Sequence, residues 1–181
     1  MEQLVIHGGA GVLEGKAGED QKMHDSLCLI WEETFNDLRK GSAEEAVRHG
    51  IRMLEDEPIY NAGTGSKLQA DGQVRMSAAL MDGTNNRFSG VINVQNIRNP
   101  IEAAASLSGE KHSVLSADQA TEFCRKKGFP EYNPVTNSAC RNSKKSLSEY
   151  TEQSERWHLI MKGEFLLGHQ QVELVAKFLD V

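Results

Sequence analysis

No apolar run in this chain approaches the roughly 18 residues that a membrane-spanning helix needs, and none of its segments repeats. The N-terminus, MEQLVIHGG, has neither a basic flank nor a long apolar stretch, so a secretory signal peptide is not expected there. Cysteine is scarce and odd in number: Cys28, Cys124 and Cys140 lie far apart with no C-x-x-C pair. That spacing speaks against a disulfide framework or a zinc site, and for reduced, mostly inert packing thiols in a cytoplasmic protein. Positive charge is also in deficit, with 20 Lys and Arg against 26 Asp and Glu and a net charge of −6. Binding to a phosphate backbone needs a basic face, so no nucleic-acid partner is expected, and no membrane partner either. The six histidines are scattered without an H-x-x-x-H spacing. Apolar residues make up 39% of the 181 residues, enough for one substantial core and one domain overall.

What the chain does have is glycine in particular places. Leu4, Val5 and Ile6 form an apolar run that reads as a first strand, and it leads into His7, Gly8, Gly9, Ala10 and Gly11. Glycines after a strand let backbone amides converge on an anion or a carbonyl oxygen, as in an oxyanion hole. They equally allow a strand to turn tightly beneath a packed neighbour. A serine hydrolase using such a loop would also carry G-x-S-x-G, which is absent. A second glycine turn, "NAGTGS", spans Asn61 to Ser66. It lacks the lysine-then-hydroxyl order of a phosphate loop, but its carbonyls, with those of the preceding "LEDEPIY", suit a hard cation; the bland alternative is a rigid turn between helix and strand.

Around these loops the pattern is mixed. Leu27, Ile30, Trp31, Phe35 and Leu38 predict a helix over about 21–40, stopped by Gly41. Ser42 and Glu45 fit a capping box for a second helix, ended by Pro58. Asp71-Gly72 and Asp82-Gly83 are turn signals, and 74–81 with 88–95 read as adjacent antiparallel strands. The small residues Ser77, Ala78 and Ala79 suggest a crowded sheet face under closely packed helices. Asn99-Pro100 opens a further helix and 118–127 another, stopped by Gly128. Residues 138–170 are polar and read as a solvated helix or a mobile excursion. The tail 171–181 turns strand-like at Val172, Leu174 and Ala176. The class is α/β (α+β), with helices and sheet in layers.

Four stretches, "VIHGGAG", "LEDEPIYNAGTGS", "MSAALMDG" and "NIRNP", taken in this order and spacing, resemble the plant-type L-asparaginase / isoaspartyl peptidase family of N-terminal-nucleophile hydrolases. The likeness runs from about Leu4 to Pro134, making 1–137 an α-subunit-like region. It implies a four-layer αββα sandwich of which this chain supplies the α-subunit half. In such proteins a precursor cuts itself before a threonine, and the freed threonine is nucleophile and, through its α-amino group, base. The implied chemistry is amide hydrolysis of L-asparagine and β-aspartyl dipeptides. Carried across, His7, Gly8, Gly9 and Gly11 are the glycine loop supporting the nucleophile, and Asn61 is a polar positioning group. Leu54, Glu55, Glu57, Tyr60, Ala62 and Thr64 resemble a sodium loop that binds through main-chain carbonyls; a structural sodium ion is implied and no cofactor.

The family's cleavage site reads G-T-V before a further V-A. The nearest stretch here is "HQQVELVA", which places Gln171 at the nucleophile position and Gln170 at the glycine. Glutamine cannot form the acyl-enzyme ester, so this chain by itself is expected to be inactive. Three readings follow. The chain is an α portion completed by a separate β-subunit-like polypeptide or by self-association; or it is a catalytically inactive, truncated or diverged homologue with a structural or regulatory binding role; or it is an unrelated module sharing glycine loops. Without the β portion, the edge and inner face of the sandwich are expected to be exposed.

Overall fold

The computed structural model describes residues 2–9, 18–69, 71–137 and 139–140, with the backbone of 175–176. Helix α1 (Glu19–Leu38) starts after Gly18, whose φ of 92° is a left-handed conformation that glycine adopts without strain. Helix α2 (Ala43–Asp56) has the expected capping box: Ser42 Oγ accepts from the Glu45 amide, and the Glu45 carboxylate accepts from the Ser42 amide. The two helices meet where Gly50 faces Thr34. A Cβ on Gly50 would lie 2.5 Å from Thr34 Oγ1, so glycine is what allows this close approach. Thr34 turns that hydroxyl onto its own helix, donating to the Ile30 carbonyl at 2.6 Å. A hydrogen bond between His49 Nδ1 and Asp37 Oδ2 closes the crossing on its outer side.

The hairpin lies where the turn signals put it. Strand β1 (Met76–Asp82) pairs antiparallel with β2 (Arg87–Val94) around Asp82, whose Oδ1 accepts from the Thr84 and Asn85 amides. Between Met76 and Ala78 the register slips, because β2 carries one extra residue there. Asn93 sits in that bulge at φ 54°, a left-handed geometry that asparagine tolerates better than most side chains. Helix α3 (Pro100–Ser106) follows with proline in its first turn. The very short strand β3 (Val114–Ser116) then runs directly into α4 (Ala117–Lys126). A two-residue strand, β4 (Val175–Ala176), completes a sheet in the order β3-β2-β1-β4. Both outer strands are parallel to their neighbours.

Alternation along the sheet separates two faces. Met76, Ala78, Leu80, Val91 and Val94 point into the main core, where Ile97, Ile101, Ala103, Ala104, Leu107, Ala120 and Cys124 from the helical side are fully buried. Of the three small residues in β1, only Ala78 serves that helix-packed face. Ser77 and Ala79 point to the other side, with Phe88, Ile92 and Val114, which are 50%, 43% and 39% exposed. The expected strand at Leu4–Ile6 does not form: residues 2–9 belong to no strand and Val5 is 92% exposed. This segment is held by other means. Trp31 Nε1 donates to the Leu4 carbonyl at 3.3 Å, and Ile6 packs on a second, smaller core of Ile30, Leu54 and Tyr60.

Candidate functional site

The first residues of the site come from the end of α2. Pro58 has no amide hydrogen, so the Leu54 carbonyl loses the partner that a continuing helix would supply. The chain then doubles back through a 3-10 turn, Gly63–Gly65. Here glycine is obligatory: a Cβ on Gly63 would stand 2.2 Å from the Glu55 carbonyl oxygen. One on Gly65 would stand 2.0 Å from that of Tyr60 and 2.7 Å from that of Pro58. Three carbonyl oxygens therefore crowd against the turn. The Glu57 and Ala62 carbonyls accept from Tyr60 and Gly65 amides, at 3.2 and 3.0 Å, and fix its curvature. Asn61 is exposed, and its Oδ1 accepts from the Lys67 amide at 2.8 Å, tying the two ends of the turn.

The glycine loop meets this turn through Tyr60. A Cβ on Gly8 would lie 3.1 Å from both Leu27 Cδ2 and Tyr60 Cε1, so the bare backbone of Gly8 is what fits against the ring. Tyr60 is almost wholly buried; its hydroxyl donates to Ser26 Oγ at 3.1 Å, and burial holds its pKa above the usual phenol value. Gly9, at φ 112°, donates its amide to His7 Nδ1 at 3.2 Å, so the histidine folds back on its own loop. Glu55 points its side chain the other way. Oε1 accepts from the Ile101 amide at the start of α3 (3.0 Å), while Oε2 is buried and makes no hydrogen bond of good geometry among the described residues. Burial is the main cause that raises this carboxyl from 4.5 to about 8; the Ile101 amide and the Asn99 side chain oppose it.

The sequence model of the family described as Asparaginase matches residues 1–168. The chain belongs to that family. An isoaspartyl peptidase/L-asparaginase of Synechocystis sp. is 46% identical over 138 residues, 75% of this chain and 41% of the relative. One from Nostoc sp. is 48% identical over 136 residues, covering 74% and 42%. A plant-type L-asparaginase of Pyrococcus horikoshii is 35% identical along 100% of this chain and 56% of its own length. The chain thus spans about half, or less, of the curated relatives it matches.

Within this asparaginase-family chain, Gly8 fits against Tyr60, and the end of α2 that carries Leu54 and Glu55 packs on the 3-10 turn that carries Thr64. Gly11 and Gln171 lie outside the described residues, as does nearly all of the polar 138–170 segment. Among the described residues no three His, Cys, Asp or Glu side chains gather as a metal would require, and no helix is long and apolar enough to cross a membrane. All three cysteines are free. Sequence reasoning missed the groups that support the turn from behind: Asp56, which accepts from Arg98 Nε at 2.8 Å, and Tyr132, whose hydroxyl bonds Thr64 Oγ1 at 3.0 Å. "NIRNP" was the available signal for Arg98; nothing local marks Tyr132.

Proposed function

We propose that this chain supplies the α-subunit half of an N-terminal-nucleophile amidohydrolase for L-asparagine and β-aspartyl dipeptides. A threonine-bearing β portion completes it. The observation that supports this most is the seating of Gly8 on Tyr60, because it joins the family's two glycine loops in one place. In the complete site the threonine hydroxyl attacks the side-chain amide carbonyl of the substrate and passes its proton to the threonine's own amine. The amine hands that proton to the leaving nitrogen as the C–N bond breaks, releasing ammonia, or an amino acid from a β-aspartyl dipeptide. Water then cleaves the ester to free aspartate. His7 to Gly9 back the nucleophile and Asn61 positions it; no cofactor enters these steps.

A sodium ion fits the turn between α2 and β1, held by main-chain carbonyls among Leu54, Glu55, Glu57, Tyr60, Ala62 and Thr64. The fit is chemical: hard cations prefer oxygen donors, and the glycines at 63 and 65 leave room for carbonyls that any Cβ would displace. Its place is structural, bracing the turn that carries Asn61. Three free thiols suit a cytoplasmic setting.

The test is complementation. Purified alone, this chain releases no ammonia from L-asparagine; mixed or co-expressed with a polypeptide beginning at the threonine of a relative, it does. Mass spectrometry of the protein from its own source shows whether such a partner accompanies it. The glutamines at 170 and 171 favour a second reading, a non-catalytic homologue. A stable complex without hydrolysis, or ammonia release by the lone chain, would replace the first.

A further inference from the structure

The segment after α4 returns across the molecule to the back of the carbonyl turn. Arg125 holds it in place: Nη1 donates to the Phe129 and Pro130 carbonyls at 3.1 and 3.2 Å, and Nη2 to that of Asn96 at 2.6 Å. The Tyr132 amide donates to the same Asn96 carbonyl at 3.0 Å. Tyr132 is thereby fixed beside "NIRNP", with the Arg98 guanidinium 5.8 Å from its ring centre. The two side chains then reach opposite ends of one loop. Arg98 Nε donates to Asp56, the last residue of α2, at 2.8 Å, and Tyr132 shares a 3.0 Å hydrogen bond with Thr64 in the glycine turn.

We infer that Arg98 and Tyr132 form a brace that sets the opening of the carbonyl loop between Asp56 and Thr64, and so its affinity for a monovalent cation. This rests on the sodium reading above. The pair contacts no reacting atom; they are positioning residues. A cation held by carbonyl dipoles depends on the spacing of those dipoles, and a turn gripped at both ends keeps that spacing when the ion is absent. Thr64 is half-buried and Tyr132 likewise, so their hydrogen bond is shielded from competing water. Tyr132→Phe removes the hydroxyl alone and leaves the ring under Arg98.

The experiment is thermal unfolding of the full chain while sodium chloride replaces choline chloride at constant ionic strength, fitting the rise in Tm with sodium concentration to single-site binding, whose half-saturation concentration is the midpoint compared. Tyr132→Phe is expected to need roughly three- to tenfold more sodium, the worth of one neutral hydrogen bond. Thr64→Val should match it, Thr64→Ser should stay near wild type, and the double Tyr132→Phe/Thr64→Val variant should lose no more than either single change. A role in folding alone lowers Tm equally in both salts and leaves the midpoint fixed. An unchanged midpoint in Tyr132→Phe and Thr64→Val overturns the brace while leaving the sodium site standing. No sodium-specific rise in the wild type overturns the sodium site, and the brace with it.

Discussion

Glu55 lies in the last turn of α2, buried inside the protein, with one carboxyl oxygen accepting from the Ile101 amide. Its pKa rises from 4.5 to about 8 because burial penalises the charge. Between those values the unfolded chain gives up the proton while the folded chain retains it, so this group's contribution to stability falls as pH climbs through that window. Glu55→Gln keeps the acceptor for Ile101 and removes the titration. It should raise stability at pH 8 by about 1–3 kcal/mol, with the gain shrinking towards pH 5 in denaturant titrations. A loss at both pH values would show that the ionised form is paired. The glycines separate just as sharply. Gly63→Ala and Gly65→Ala drive a methyl into backbone oxygen and should cost more than about 2 kcal/mol each. Gly8→Ala meets only side-chain ends and should cost less. The spacing of these glycines made the turn legible. The partners of Glu55, Asp56 and Thr64 were not, because Ile101, Arg98 and Tyr132 are brought to them only by the packing of α3 and the return segment.

The four helices and the hairpin were readable because each carries its own local signal: the Ser42 capping box, Pro100 in a first turn, aspartate-glycine at Asp82. Two elements carried none. Leu4 to Ile6 has strand composition, yet a strand exists only through pairing, and what holds this segment is Trp31 and Tyr60. Strand β3 has three residues, too few for alternation to show, and exists because Gly90 to Ile92 offer an open edge. Its junction with α4 is tight: Ala117 takes φ 50°, a left-handed backbone that an alanine adopts at a cost of about 1 kcal/mol. Ala117→Gly should therefore stabilise the protein, by about 0.5–1 kcal/mol in chemical denaturation, and a fall in stability would mean that the methyl packs usefully.

Among the described residues, one side of the sheet is covered and the other is open. Helices α3 and α4 cover one face of the sheet, while Phe88, Ile92 and Val114 stand on the opposite face. A face of that composition calls for a second layer, which the proposed β portion supplies. The chain alone should bind a dye specific for exposed apolar surface; replacing those three residues by threonine should abolish the signal without abolishing cooperative unfolding. Dye-free, monomeric wild-type protein would speak against the half-sandwich. The pairing of β4 with β1 has a further consequence, in the order of events during synthesis. Ala79 and Leu80 leave the ribosome long before Val175 and Ala176 exist, and the hairpin they belong to forms from neighbours in the chain. Until residues 175–176 have been made, the edge of β1 that they pair with waits as a template that any extended polypeptide can read. The nascent chain is most vulnerable to wrong pairing in that interval, and whichever strand reaches β1 first decides whether it assembles or aggregates.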